Sequence, residues 1–494
     1  MYVFVARLHA DECCLTRRHT AQVISINALL DEVLLETFDF FVGECQESEE
    51  TQKEVEAWQS LVHVCHRWRA IVFGSPSRLN LRLHCEARTP VRLLDVWPAL
   101  PLFIQDPRYC PSDRPGHVDN VLPALKQSHR VCKIDLSVIR PQLETVWAAM
   151  QGPFPELVDL KIDACIKPNF IPDQVPDSFL GGSAPRLRHL EFGGIPFPGL
   201  PKLLLSTTHL VTLCLWKIPH SGYISPEAMA SGLSVLTSLE EFTLMYRLFE
   251  TPDQENQFLP VSAHSVLPAL TSFDFQGVAD YLEELVARID APRLSHLSIT
   301  FFDQAGNFNN PHLVQFFSRT PNFKTPEKAH FIFNGCISRV KFSSQTSGCG
   351  TFDVGIDSKR QLTPLAQVCS SFPHFSTVEK LCISDTRYFE PSLDLDAVGG
   401  TIRLELLRPF ASVKNLYLHR ESVPRIAFSL KELLGGRTSE LLPVLRNLFL
   451  EEGHRPGMIQ TVMEDSVAQA ARKLSGNSIL TVIRWDRNSK RDKF

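Results

Sequence analysis

The sequence lacks the marks of several large classes of protein. Its 494 residues contain no Cys-x-x-Cys pair and no Asn-x-Ser/Thr sequon, and its 13 cysteines are spread along the whole chain. The first apolar run covers only residues 2–6, which is too short for the core of a secretory signal. No segment approaches the roughly 20 apolar residues that cross a bilayer. We therefore expect reduced thiols and a cytoplasmic or nuclear location.

The chain also lacks a large excess of charge of either sign. Lys and Arg total 50 against 55 Asp and Glu, which gives a formal net charge of -5, and the basic residues form no stripe. Binding to phosphates requires clustered Lys and Arg. We therefore expect no nucleic-acid partner and no binding to an anionic membrane surface.

Known catalytic signatures are missing as well. The sequence has no Gly-rich phosphate-binding loop, no Gly-x-Ser-x-Gly elbow and no His-Glu-x-x-His zinc motif. His63, Cys65 and His66 lie close together, but a structural zinc site usually needs four ligands in paired spacing. We expect no catalytic residues, no cofactor and no metal, and we interpret this group as structural.

Two regular patterns are present. At residues 26–41 and 55–72, apolar residues recur at steps of three and four, which predicts amphipathic helices. From about residue 130, a Leu-x-x-Leu-x-Leu phrase recurs at intervals typical of leucine-rich repeats. Its copies occupy residues 157–162, 187–192, 210–215, 239–244, 270–275, 294–299, 378–383, 413–418 and 445–450, with a degenerate copy at 134–136.

These patterns predict an α/β fold: a small helical domain followed by a leucine-rich-repeat-like solenoid with a parallel concave sheet. One repeat cannot bury its apolar face alone, whereas stacked repeats form a continuous core. Residues 325–360 lack the repeated phrase, and this region is predicted to form irregular units or a hairpin insertion. We assign residues 1–22 to a flexible tail, 23–83 to the helical domain, 84–129 to a linker and first irregular repeat, 130–485 to the solenoid and 486–494 to a second tail.

The helical segment resembles an F-box, a family with a "LP-x-E-hydrophobic" helix start and a later "V-C-R-x-W-R" segment. The matching stretches are residues 26–38 and 58–71, and residues 76–83 resemble F-box proteins abundant in mushroom-forming fungi. The resemblance covers about 60 residues and implies a three-helix F-box-like domain. It departs from the family at Leu30, where Pro is usual, and in a longer acidic stretch at residues 44–56.

The resemblance implies a substrate-recognition adaptor: the F-box docks on the Skp-type subunit of a cullin-RING (SCF-type) ubiquitin ligase, and the solenoid holds a protein substrate. Solenoids bind partners through residues that point outward from their strands. For the substrate we predict contacts at Lys161, Glu191, Trp216, Asp274, Tyr417 and Phe449. For the Skp-type subunit, the contacts or supports implied are Ile26, Leu29, Leu30, Val33, Leu34, Leu61, Val64, Cys65, Trp68 and Ile71.

Two alternatives stay open. The first is a leucine-rich-repeat protein-binding scaffold without ubiquitin-ligase association, which Leu30 and the acidic stretch favour. The second is an enzyme centred on the irregular region 325–360. Converging His, Cys or carboxylate side chains there would support the second alternative.

Overall fold

The computed structural model divides the chain into two compact units. The first unit comprises residues 1–83 and 95–101, and the second comprises residues 84–94 and 102–494. The predicted tails and most of the acidic stretch lie outside the described residues. The description covers residues 26, 29–46, 57–85, 94, 97, 99–106, 121–164, 174–247, 264–302, 310–323, 326–334, 337–343, 350–357, 363–385, 404–419, 442–451, 469 and 481–485.

The described part of the first unit contains three helices: α1 (Asp31–Gln46), α2 (Ala57–Val62) and α3 (His66–Gly74). Helix α1 begins with two acidic residues, which suit the positive end of the helix dipole. Steps of four residues place three side chains of α1 on one buried face. The buried core of this unit consists of Leu34, Phe38, Val42, Trp58, Leu61, Val62, Val72, Leu79, Leu81 and Leu100.

The apolar pattern at residues 55–72 predicts one helix, but the structure divides it in two. Cys65 is extended, with φ -159° and ψ 171°, and its Sγ accepts a hydrogen bond from the Trp68 amide, so it caps a new helix. The alternation of apolar residues at 79–83 predicts a strand, and here the structure differs a second time. Leu79 belongs to a turn that follows α3, and the strand β1 spans Leu83–Cys85.

Among the described residues, sixteen strands form one sheet, which is mostly parallel and contains one antiparallel insertion. The last four residues of each full copy of the repeated phrase lie on a strand of this sheet, and the sheet already includes residues 102–106, within the range predicted as linker and first irregular repeat. Besides β1, the strands are β2 (Leu102–Asp106), β3 (Val131–Val138), β4 (Asp159–Ala164), β5 (His189–Gly193), β6 (Thr212–Ile218), β7 (Glu241–Tyr246), β9 (Ser272–Gly277), β11 (His296–Phe302), β12 (Lys328–Asn334), β13 (Ile337–Ser343), β14 (Thr351–Asp357), β15 (Lys380–Asp385), β16 (Asn415–Leu418), β17 (Asn447–Glu451) and β18 (Thr481–Trp485). The short strands β8 (Ser265–Val266) and β10 (Ile289–Asp290) pair separately.

Strand alternation explains the repeated phrase. In β4, Leu160 and Ile162 are buried, whereas Lys161 between them points outward. The register aligns Leu160 with Leu190 of β5 and Ile162 with Phe192. The same alignment repeats from strand to strand, so that the two apolar positions of each phrase form continuous buried rows. These rows are the core of the second unit.

The irregular region forms an insertion in the sheet. Strand β13 runs antiparallel to both β12 and β14. The order in the sheet is β11-β14-β13-β12-β15, so the three inserted strands appear in reverse chain order. Strands β14 and β12 pair in parallel with β11 and β15, and the parallel arrangement therefore resumes on both sides of the insertion.

Helices fill the segments between strands. Residues 226–230 and 279–288 predict helices; the first lies within α7 (Pro226–Leu233), and the second becomes α8 (Ala279–Val286), which ends two residues earlier and buries Tyr281, Leu282 and Leu285 in the core. No helix among the described residues has both the length and the apolar character needed to cross a membrane. The helices of this unit are α4 (Leu122–Leu125), α5 (Arg140–Ala149), α6 (Leu200–Leu204), α7 (Pro226–Leu233), α8 (Ala279–Val286), α9 (Pro311–Arg319) and α10 (Thr363–Ser371). The fold is therefore α/β, with a large and mostly parallel sheet.

Candidate functional site

The helical unit leaves large apolar side chains in contact with solvent. Leu30 is 68% exposed and Phe40 is 67% exposed. Leu30 immediately precedes α1, and Val33 and Phe40 lie seven residues apart on this helix, so these side chains share one side of it. Exposed apolar groups of this size are typical of interaction surfaces. The exposed apolar set in the described part of this unit is Ile26, Leu30, Val33, Phe40 and Val64.

The ten residues predicted to contact or support a Skp-type subunit fall into three groups. Leu34 and Leu61 are buried in the core of the helical unit, so they act as supports and not as contacts. Phe40 was not predicted as a contact. The apolar spacing of this segment follows Phe38 and Phe41, which face the core, and Phe40 lies on the opposite side of the helix. The exposed members are Ile26, Leu30, Val33 and Val64, and the half-buried members are Leu29, Cys65, Trp68 and Ile71.

Charged side chains hold the three helices together beside this surface. Arg67 Nε donates to Asp31 Oδ1 at 2.9 Å, and Arg67 Nη2 donates to the Leu29 carbonyl, which ties α3 to the start of α1. Arg78, in the turn that follows α3, forms an ion pair with Glu36 of α1. Trp68 packs its ring 4.7 Å from that of Phe38. The exposed apolar set is therefore presented by helices that are fixed to one another.

In the second unit, the side chains that point away from the core also align. We call the central line of these residues the outer row. Five of the six residues predicted to contact a substrate belong to it, and Trp216 lies in the neighbouring line, beside Gly193. From β3 to β17 the outer row reads Asp135, Lys161, Glu191, Cys214, Thr243, Asp274, Ser298, Asp353, Lys341, His330, Cys382, Tyr417 and Phe449.

The structure brings Lys161, Glu191 and Trp216 together. Glu191 Oε1 lies 3.1 Å from Lys161 Nζ and accepts a hydrogen bond of 3.1 Å from Trp216 Nε1. The indole ring rests on Gly193, and Lys217 Nζ lies 4.5 Å from the ring centroid. Trp216 is thus half-buried by its own neighbours, and the cluster presents a lysine, a carboxylate and an indole in a fixed arrangement.

Three titratable side chains in and around this cluster have raised pKa values, so that each keeps its proton to higher pH. Burial raises the pKa of Asp135, against the effect of Lys161 and Lys133. Burial lowers the pKa of Lys161, but its hydrogen bond and charge interaction with Glu191 outweigh this, and the net shift is upward. Burial also raises the pKa of the Cys214 thiol to about 11, which makes this outer-row cysteine a poor thiolate.

At the far end of the outer row, Tyr417 and Phe449 stack with ring centroids 4.3 Å apart and planes at 8°. Trp485 packs edge-on against Tyr417 at 5.6 Å. Both predicted contact residues are therefore half-covered by aromatic neighbours. Asp274 is separate from either group and lies 3.5 Å from His296 Nε2.

A cluster that the sequence did not predict lies beside these aromatic rings. His330, Cys382 and His419 each present one ligand atom, and these atoms all lie within 4.8 Å of one another. His419 Nδ1 is 2.9 Å from Glu451 Oε2. His330 Nε2 is 2.8 Å from Ser384 Oγ. The only available signal was His330 within the irregular region, because the other members lie on distant segments of the chain.

No protein-family model matches the sequence, and no curated protein is significantly similar to it.

Proposed function

We propose that the protein is a substrate-recognition adaptor of an SCF-type cullin-RING ubiquitin ligase. In this proposal the helical unit is an F-box that docks on the Skp-type subunit, and the second unit is a leucine-rich-repeat-like solenoid that holds a protein substrate. The observation that carries the proposal is the exposed apolar set on a three-helix unit with a small core of its own. A surface of this kind is stabilised when a partner covers it.

The arrangement of the second unit supports the other half of the proposal. Repeated parallel strands present one continuous outer row with charged, polar and aromatic side chains. The half-buried Trp216, Tyr417 and Phe449 are of the residue types that dominate binding energy at protein interfaces. An adaptor of this kind contributes proximity and orientation, and the bond chemistry belongs to other subunits.

The test is a binding assay of the full chain with the purified Skp-type subunit. We compare the wild-type protein with Leu30→Asp and Val33→Asp, which place a carboxylate on exposed positions and leave the core intact. Each substitution is expected to weaken binding by about 10-fold or more, since an interface hot spot contributes about 2 kcal/mol or more. The matched control is Leu205→Asp, because Leu205 is 54% exposed and lies in the second unit.

The outcomes separate the adaptor from the scaffold alternative. Loss of binding in Leu30→Asp but not in Leu205→Asp supports the adaptor. If folded wild-type protein does not bind the Skp-type subunit, the ubiquitin-ligase role is rejected. The protein-binding scaffold without ligase association then becomes the better proposal, in keeping with Leu30 at the helix start.

A further inference from the structure

We propose that His330, Cys382 and His419 bind one thiophilic divalent transition-metal ion, for which zinc is the best candidate, and that Glu451 orients His419 toward it. This site is independent of the adaptor function proposed above. It would lie on the outer face of the sheet and join strands on both sides of β15.

Strand register places the three ligands side by side. His330 on β12 is directly opposite Cys382 on β15, and Cys382 is opposite Tyr417 on β16. His419 follows β16, and its amide donates to the Ile383 carbonyl at 3.0 Å, which continues the pairing beyond the strand. All three ligands are therefore attached to hydrogen-bonded backbone, which fixes their Cα positions and makes the site precise.

The distances suit an ion after a small adjustment. Zinc binds imidazole nitrogen and thiolate sulfur at about 2.0–2.3 Å, so ligand atoms in a tetrahedral site lie about 3.5 Å apart. The three ligand atoms are within 4.8 Å of one another without an ion. Side-chain movements that shorten the largest separation by about 1 Å would bring the ligand atoms to this spacing.

The surroundings supply the outer contacts that metal-binding histidines usually make. A histidine ligand commonly donates its other ring N–H to a carboxylate, which fixes the tautomer and aims the free nitrogen at the metal. Glu451 accepts from His419 Nδ1 in this manner, so Nε2 is the nitrogen that can face an ion. Trp485 packs edge-on against the His419 ring at 5.5 Å and restricts its rotation. Ser384 Oγ, which also donates to the Phe331 carbonyl, holds His330.

The donor set determines the class of ion. Two imidazoles and one thiolate favour zinc, cobalt or copper over magnesium and calcium, which prefer oxygen ligands. On binding, Cys382 gives up its thiol proton to solvent and coordinates as the thiolate. With three protein ligands, the fourth position of a tetrahedral zinc ion is open to water or another ligand.

The same side chains also match a nucleophilic cysteine with a histidine base and a carboxylate partner. Burial favours the metal site over this alternative. Cys382 is 1% exposed and His419 is 5% exposed. An electrophilic substrate must approach the sulfur from outside, whereas a single ion occupies only the space between the ligands.

The test uses the full chain, reduced with a phosphine and freed of metal by chelation, and Co²⁺ as the spectroscopic probe. We expect one Co²⁺ per chain, with a thiolate-to-cobalt charge-transfer band in the near ultraviolet and displacement by Zn²⁺. Cys382→Ser is expected to abolish the band. Cys214→Ser is the matched control, because it removes another outer-row cysteine and is expected to leave the band unchanged.

Further variants keep the proposal falsifiable if Cys382→Ser does not fold, as judged by circular dichroism. His330→Asn replaces a half-buried ligand and is expected to weaken Co²⁺ binding at least 10-fold. Glu451→Gln is expected to weaken Co²⁺ binding by about 10- to 100-fold, as for other residues that hydrogen-bond to a metal-binding histidine. The proposal is overturned if wild-type protein shows no charge-transfer band, or if a folded Cys382→Ser or His330→Asn variant binds Co²⁺ as the wild type does.

Discussion

At the scale of single residues, Gly193 illustrates how a missing side chain positions a functional one. A Cβ atom added there would lie 2.6 Å from the Trp216 ring and 2.5 Å from Asp163 Oδ1. Only glycine therefore permits the indole to lie against the strand and reach Glu191. The sequence identifies Trp216 as an outward residue, but the glycine beneath it becomes significant only once the two strands are paired.

We predict that Gly193→Ala displaces Trp216 and lowers the free energy of unfolding by about 1–3 kcal/mol, the usual cost of overpacking. Thermal unfolding measures the stability, and tryptophan fluorescence reports the environment of the indole. Gly152→Ala is the control, because a Cβ at Gly152 meets no atom within 4 Å. Equal effects of the two substitutions would contradict the proposed packing.

His296 provides a prediction about pH. Its hydrogen bond with Asp274 raises its pKa above the ordinary value of 6.5, with burial acting in the opposite direction. A raised folded-state pKa means that the protonated form is favoured in the folded protein. This contribution to stability is fully present below pH 6.5 and is lost as the pH rises through the folded-state pKa.

NMR titration of the His296 ring measures its pKa in the folded protein, and the Asp274→Asn variant serves as the comparison. The pKa is expected to fall in the variant, since both the hydrogen bond and the charge attraction from Asp274 weaken. Other groups that act on the ring, Asp353 and Lys341, are unchanged in this comparison. An unaltered His296 pKa would show that Asp274 is not its partner.

At the scale of elements, the helices follow local signals closely. Helix α7 begins at Pro226, a favoured residue in the first helical position, and Ser225 Oγ accepts from the Ala228 amide at 3.3 Å. A serine followed by a proline is a common start of a helix. The break before α3 was less visible, because cysteine is an uncommon N-cap and the apolar spacing continues through it.

We predict that Ser225→Ala lowers the free energy of unfolding by about 1 kcal/mol, because it removes an acceptor for an otherwise unpaired helix amide. Ser225→Asp retains an acceptor and is expected to stay close to the wild type. Chemical denaturation of both variants provides the measurement. Equal destabilisation by Ala and Asp would show that the cap contributes little.

The inserted strands β12, β13 and β14 show what local sequence patterns predict about a sheet and what they do not. Their positions follow from alternating apolar residues, and a hairpin insertion was one of two interpretations. Their reversed order in the sheet was not predictable, because parallel and antiparallel strands bury alternate residues in the same way. The order of strands in the sheet depends on which neighbouring strand offers a free edge for pairing, and this is known only once the neighbouring strands are placed.

At the scale of the whole molecule, the sheet of the second unit is a row of strands that contact mainly their neighbours. Stability in such arrays is greatest where a strand is paired on both sides. Strand β7 lies between β6 and β9, whereas β18 ends the order of the sheet and has four of its five side chains at least partly exposed.

We therefore predict that amide hydrogen exchange is slower in β7 than in β18 by at least about 10-fold, which corresponds to about 1.4 kcal/mol of opening free energy. Hydrogen–deuterium exchange with mass spectrometry on the full chain measures both strands in one experiment. Equal protection of the two strands would indicate a single cooperative unit instead of a graded array.

The sequence by itself determined where most of the strands lie and which side chains of the repeated phrase face the core. These properties follow from periodicity, because the backbone geometry of each element sends residues to a face at a regular interval. Only the tertiary structure decided that Leu34 supports the core while Phe40 is exposed, and that His330, Cys382 and His419 meet. The physical reason is that both results depend on packing between elements that are distant in the chain. The burial of a helix face depends on the elements that pack against it, and contacts between strands depend on their register in the sheet. The residue spacing within one element determines neither.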